Sequence, residues 1–213
     1  MESRARRAGR PTERVLDRGR IFRGALEVID RDGPAAFTMA GLARLLGVEP
    51  ASLYNHVSGR AEIVEGVRGV IVTEIAMPDF GSGTWVEALR GWAHSYRDSL
   101  AGHPNTIQLL ATTPIRSDRY LEMYEAVVDG LRAAGWPMGQ IADVLTTLES
   151  FLIGSALDLA APPLMYDARG RDEDYPLLVE ALGGPAEQRG RADHAFEFGL
   201  DLLLSSLRTL RGA

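Results

Sequence analysis

The chain has no cysteine among its 213 residues and, although it carries 23 basic residues, no lysine. Without cysteine it has no disulfide, no thiolate metal site and no thiol nucleophile. Without lysine every fixed cation is an arginine, which reads first as a bias toward GC-rich codons. No stretch reaches the roughly 18 consecutive apolar residues of a membrane-crossing helix. The start MESRARRAGR is followed by no apolar core of the kind found in a secretory signal. The expectation is a cytoplasmic chain with no membrane partner. Signatures of catalysis are missing too: HExxH, GxSxG, Walker and GxGxxG patterns do not occur, and His56, His94, His103 and His194 are scattered. No catalytic residue, metal ligand or cofactor is assigned, and the chain is not read as an enzyme.

What is present is a globular composition, 46% hydrophobic and 24% charged, which excludes long-range disorder. The net charge of −6 is unevenly spread. Residues 1–60 hold 11 Arg against 7 acids, whereas residues 61–213 hold 12 Arg against 22 acids. Arg4, Arg6, Arg7 and Arg10 crowd an N-terminal arm over 1–12, a surface suited to phosphates. Charge alone reads equally well as a solvated tail.

Apolar periodicity predicts an all-α chain. Val15, Phe22, Leu26 and Ile29 mark a first helix over 13–31, stopped by Asp32-Gly33-Pro34. Thr38 caps a second over 39–46, ended by Gly47, and Pro50 opens a third that runs to about Val57. Ile63, Val67, Val70, Ile71 and Ile75 mark a fourth that ends before Pro78. Two helices of about two turns each are too short to be stable alone and need the first and fourth to hold them at a fixed angle. Ala43, Leu46, Val48 and Leu53 form the small core between them, leaving Ala51, Ser52, Tyr54, Asn55 and His56 outward. Small residues at the start of that helix and hydrogen-bonding groups behind them suit a major groove. Spacing alone leaves a second reading, an αα-corner in a helical enzyme or small-molecule carrier.

The stretch FTMAGLARLLGVEPASLYNHVSGRAEIVEGV resembles the DNA-binding domain of the tetracycline repressor family, through its Gly-Val turn, Leu-Tyr pair, His-Val and the basic residue opening the fourth helix. The resemblance implies a DNA-binding domain over 13–77 and a helical ligand-binding and dimerisation domain over 78–213. It also implies that Thr38, Ser52, Tyr54, His56 and Arg60 sit on a double-stranded operator, with Thr38, Tyr54 and Arg60 gripping phosphates. Two family positions that read bases are Ala40 and Pro50 here, so a different operator is expected, with Asn55 taking over some base reading.

In the second half, Thr84-x-x-Glu87 is a capping box that opens a helix to about Leu100. Further helices are expected over 104–111, 117–134, 138–160, 174–182 and 189–210. Those over 138–160 and 189–210 are apolar around much of their circumference, which predicts a homodimer through an intermolecular four-helix bundle. Packing within one chain is the alternative. Trp92, Tyr96, Met123, Tyr124, Val127, Leu148 and Phe151, with Gln108, Thr112, Glu149 and Asp158, are read as lining an effector pocket. Each aromatic taken singly reads equally as core. The resemblance continues through TWVEALRGWAHSYRDSL, the TTP at 112–114 and FLIGSALD. It puts Tyr96 on a pocket-lining aromatic position and Asp158 on an acidic position that helps hold a drug-bound magnesium ion. Trp92 and Leu109 replace the family's ligand-binding Asn and metal-ligating His, so a small apolar or aromatic effector is expected in place of tetracycline. The function implied is a ligand-responsive regulator, a repressor by expectation, with activation as the alternative, nucleoid-associated when bound to DNA.

Overall fold

The computed structural model describes residues 16–162, 170–183 and 190–212. The basic arm expected over 1–12 lies outside them. Among the described residues there are ten α-helices and no strand: α1 Arg18–Asp32, α2 Met39–Leu46, α3 Pro50–Leu53, α4 Arg60–Val72, α5 Trp85–Gly102, α6 Pro104–Ala111, α7 Asp118–Ala133, α8 Met138–Ala160, α9 Pro176–Leu182 and α10 Arg191–Gly212.

Local chemistry sets most of the boundaries. The carboxylate of Asp17 accepts the backbone N–H of Arg20 at 2.7 Å, so α1 starts at Arg18 and not at 13. Thr38 caps α2 by accepting the Gly41 N–H at 3.0 Å, and Gly47 ends it in the left-handed region at φ 70°, ψ 35°. Arg20 of α1 donates to the Leu46 carbonyl at 3.0 Å, closing that end of α2. The third helix is shorter than the expected run to Val57. It is α-helical only to Leu53, and the chain tightens through turns in which the His56 N–H reaches the Leu53 carbonyl at 2.9 Å. Ahead of α4, the Glu62 carboxylate accepts both the N–H and the hydroxyl of Ser58, at 2.7 and 2.8 Å. The fourth helix also stops short of Pro78, ending at Val72. The capping box is formed as expected, Thr84 and Glu87 each closing on the other's backbone.

Helices α1 and α4 lie so close that a Cβ added at Gly66 would fall 2.2 Å from the Phe22 ring. That contact makes the frame on which α2 and α3 rest. Leu42, Ala43 and Leu53 are fully buried between them, while Val48 is only half-buried. One hydrophobic core runs on from this frame into α5–α8 and α10. Polar ties cross the same boundary: His103, at the α5–α6 junction, meets Asp30 of α1 at 2.7 Å and Glu74 at 3.2 Å, and the Asn105 amide donates to the Asp30 carbonyl at 2.9 Å.

Helices α8 and α10 bury one side each, through Val144, Leu148 and Leu152 and through Phe196, Leu200 and Leu204. Phe151 stacks on Phe196 with centroids 5.6 Å apart, a packing made possible by Gly199 beneath it. The other side carries Leu157, Phe198, Leu202 and Leu210, exposed by 47, 69, 53 and 65%. Apolar exposure of that size on two adjacent helices marks an association surface.

Candidate nucleic-acid interface and effector cavity

The outward face of the helix-turn-helix is built from short side chains that the frame leaves free. Ala51, Tyr54 and Asn55 are exposed, Tyr54 by 56%, and Ser52 and His56 are half-buried beside them. Thr38 is exposed and uses its hydroxyl oxygen as an acceptor, which leaves its O–H to donate. The Arg60 guanidinium lies 5.1 Å from the Phe37 ring centroid, held at the start of α4 by the ring face. No acid is paired with Arg60 among the described residues, so its charge is open to a phosphate.

In the second half α4, α5, α6, α7 and α8 border a partly open cavity of about 180 Å³ lined by Arg68, Tyr96, Leu100, Ile107, Leu110, Ala111, Thr113, Ile115, Tyr120, Glu149 and Ile153. One end of it is polar. Tyr120 donates to the Tyr96 hydroxyl at 2.7 Å, Tyr96 donates to Glu149 Oε1 at 3.0 Å, and Tyr124 donates to the same oxygen. Burial raises all three phenols, Tyr120 to about 12, so each stays protonated and acts as a donor. Arg68, only 3% exposed, holds Glu65 through Nε at 3.0 Å. Its Nη2 donates to the Leu110 and Thr113 carbonyls, both at 2.9 Å, and to the Thr113 hydroxyl at 2.7 Å. A residue of α4 thus closes the C-terminal end of α6.

The fold accords with known sequences. Residues 21–67 match the family described as bacterial regulatory proteins, tetR family, and residues 77–211 match the tetracyclin repressor-like C-terminal domain. The chain belongs to the tetracycline repressor family. It is 26% identical to an HTH-type transcriptional regulator of Saccharopolyspora erythraea, over 94% of this chain and 88% of the relative. It is 26% identical to the class C tetracycline repressor of Escherichia coli, over 92% of each. The crystal structure of the Streptomyces coelicolor TetR family protein ActR in complex with (S)-DNPA superposes with a TM-score of 0.74 at 28% identity, covering 93% of this chain and 98% of that one. As a tetracycline repressor family member, the protein is a DNA-binding transcriptional regulator.

Within this family frame the residues expected to line the pocket divide. Tyr96 and Glu149 are on the cavity wall, and Tyr124 donates to Glu149. Trp92, Met123, Val127 and Leu148 are buried in the core and Phe151 packs against α10, none of them on the wall. Gln108, Thr112 and Asp158 are exposed, and Leu109 lines an open groove with Arg60, Glu65 and Arg116. The wall residues that sequence reading passed over are Arg68, Tyr120 and the aliphatic group from α6 and α8. Arg68 carried a signal, because it occupies the same helical stripe as Val64, Val67 and Ile71, where an arginine is out of place unless it has buried partners. Among the described residues no cluster of three His, Asp or Glu is arranged to hold a metal ion.

Proposed function

We propose that the protein is a homodimeric repressor that holds a palindromic operator and releases it when a small aromatic effector fills the cavity behind α4. Residues 13–77 form the DNA-reading unit, residues 78–213 the effector and dimer unit, and the protein acts in the cytoplasm without catalytic activity. The contacting residues are Thr38, Ala51, Ser52, Tyr54, Asn55, His56 and Arg60. One observation carries this reading: Arg68 lies on the helix that follows the recognition element, and its guanidinium is at once part of the cavity wall and the clasp on the end of α6. An occupant that displaces that clasp acts on α4 directly. Rotation of α4 changes the distance between the two α3 helices of a dimer, which must match half-sites about 34–36 Å apart. A ligand preferring the released form ~100-fold supplies roughly 3 kcal/mol of coupling.

Titration of the protein's own upstream DNA across a salt series tests the regulator reading. A dimer gripping phosphates binds that duplex over a scrambled one and loses affinity steeply with salt, with a slope of about −0.9 per neutralised phosphate. Equal affinity for the two duplexes would defeat it.

A further inference from the structure

The chemistry of the cavity wall narrows the effector class, an inference that rests on the effector reading above. Arg68 has five N–H donors. Four acceptor contacts occupy Nε and Nη2, and no hydrogen bond from Nη1 is found among the described residues; the guanidinium carbon lies 5.7 Å from the Tyr120 ring centroid and the side chain is 4% exposed. Nη1 is not among the sealed, unpartnered atoms, so as part of the cavity lining it can still donate to an occupant. Glu149 offers the opposite group. Its Oε1 accepts hydrogen bonds from the phenols of Tyr96 and Tyr124, and no hydrogen bond to Oε2 is found among the described residues. The wall therefore offers one open donor and one open acceptor, separated by the Tyr120–Tyr96 hydroxyl pair.

Apart from Thr113, whose hydroxyl is tied to Arg68, the rest of the lining is aliphatic: Leu100, Ile107, Leu110, Ala111, Ile115 and Ile153. Its volume, about 180 Å³, is close to the ~150 Å³ of an apolar cavity that holds benzene. One ring with a few substituent atoms fills it. Charge decides between candidates of that size. The Glu65 carboxylate pairs with the guanidinium and the Glu149 carboxylate lines the same cavity, so a carboxylate on the ligand adds a third like charge beside a single guanidinium.

We propose that the cavity binds a neutral, single-ring hydroxyaryl carbonyl compound, its carbonyl oxygen accepting from Arg68 Nη1 and its hydroxyl donating to Glu149 Oε2. A hydroxyaryl ketone or ester has this pattern; a simple alkylphenol or an aryl ketone has half of it.

Calorimetric titration of the dimer with 4-hydroxyacetophenone, acetophenone, 4-ethylphenol and 4-hydroxybenzoate separates the terms. The first compound is expected to bind at least about tenfold more tightly than each of the other three, the size of one buried hydrogen bond to a charged group. Glu149→Leu removes the open acceptor and is expected to erase the advantage over acetophenone while leaving acetophenone's own affinity within about twofold. The four-ligand comparison on the unaltered protein needs no variant, so it decides even where a substitution unfolds the chain. Affinities within about twofold of one another, tighter binding of 4-hydroxybenzoate, or no binding of 4-hydroxyacetophenone at millimolar concentration would overturn the proposal. Operator binding without any ligand is recorded alongside. If it persists while the ligand series fails, the regulator stands and only the effector class falls.

Discussion

At the scale of single residues, the same kind of side chain does opposite work in the two halves. Tyr54, the residue that follows α3, is 56% exposed and makes no contribution to the core, so Tyr54→Ala is expected to change stability by no more than about 0.5 kcal/mol. Operator affinity is expected to fall by about tenfold or more, the worth of a phosphate contact with its packing. Circular dichroism melts beside operator titrations check both halves of that statement; a variant that melts early makes Tyr54 a packing residue. Trp92 is the contrasting case. It is 1% exposed, stands edge-on to Tyr96 at 5.4 Å and is off the cavity wall. Trp92→Ala is therefore expected to cost ~3–5 kcal/mol in urea denaturation. A folded variant altered only in effector response would return Trp92 to the binding site. Position along a helix said that Trp92 and Tyr96 share a face. It did not say whether that face meets a cavity or another helix, because that depends on which helices arrive from elsewhere.

At the scale of elements, the α1–α4 contact governs how α3 is presented. Gly66→Ala drives a methyl group into the Phe22 ring and is expected to destabilise by ~1–3 kcal/mol. Phe22→Leu in the same chain should recover part of that loss, and a double-mutant cycle measures how much. Helix starts give a pH dependence of known sign. Hydrogen bonds from the Ser58 backbone and hydroxyl hold Glu62 below its usual 4.5, and those from Thr84 do the same for Glu87. Folded, these carboxylates bind fewer protons than when unfolded, so their contribution is present above pH 4.5 and is lost as pH falls below it. Amide exchange in the first turns of α4 and α5 should quicken over that range, and Glu62→Gln and Glu87→Gln should remove the change. Elements of this kind were legible beforehand because caps act within a few residues: Thr38, Gly47, Pro50 and the Thr84–Glu87 box are all local. The end of α3 was not legible, since the turn after Leu53 carries both Leu53 and Val57 into a core made by residues distant in sequence. Nor was most of the cavity wall, which gathers Arg68, Leu110 and Tyr120 from three helices distant in sequence.

At the scale of the whole molecule, dimerisation and operator release are linked through two faces of the same bundle. Leu202→Glu puts a charge on the exposed apolar side of α10, where pairing would have to desolvate it. Sedimentation should show a folded monomer with operator affinity reduced by about tenfold or more, since one half-site is lost. A variant that remains dimeric moves the interface elsewhere. The central claim is that filling the cavity, by whatever molecule, makes the protein let go of DNA. Absence of cysteine allows this to be measured without knowing the effector. Ile153→Cys introduces a single thiol on the cavity wall, and a benzyl methanethiosulfonate attaches one ring there. The account predicts that the benzylated dimer, still folded, binds its operator about 100-fold more weakly than the unlabelled variant. A benzylated dimer with unchanged operator affinity would contradict it.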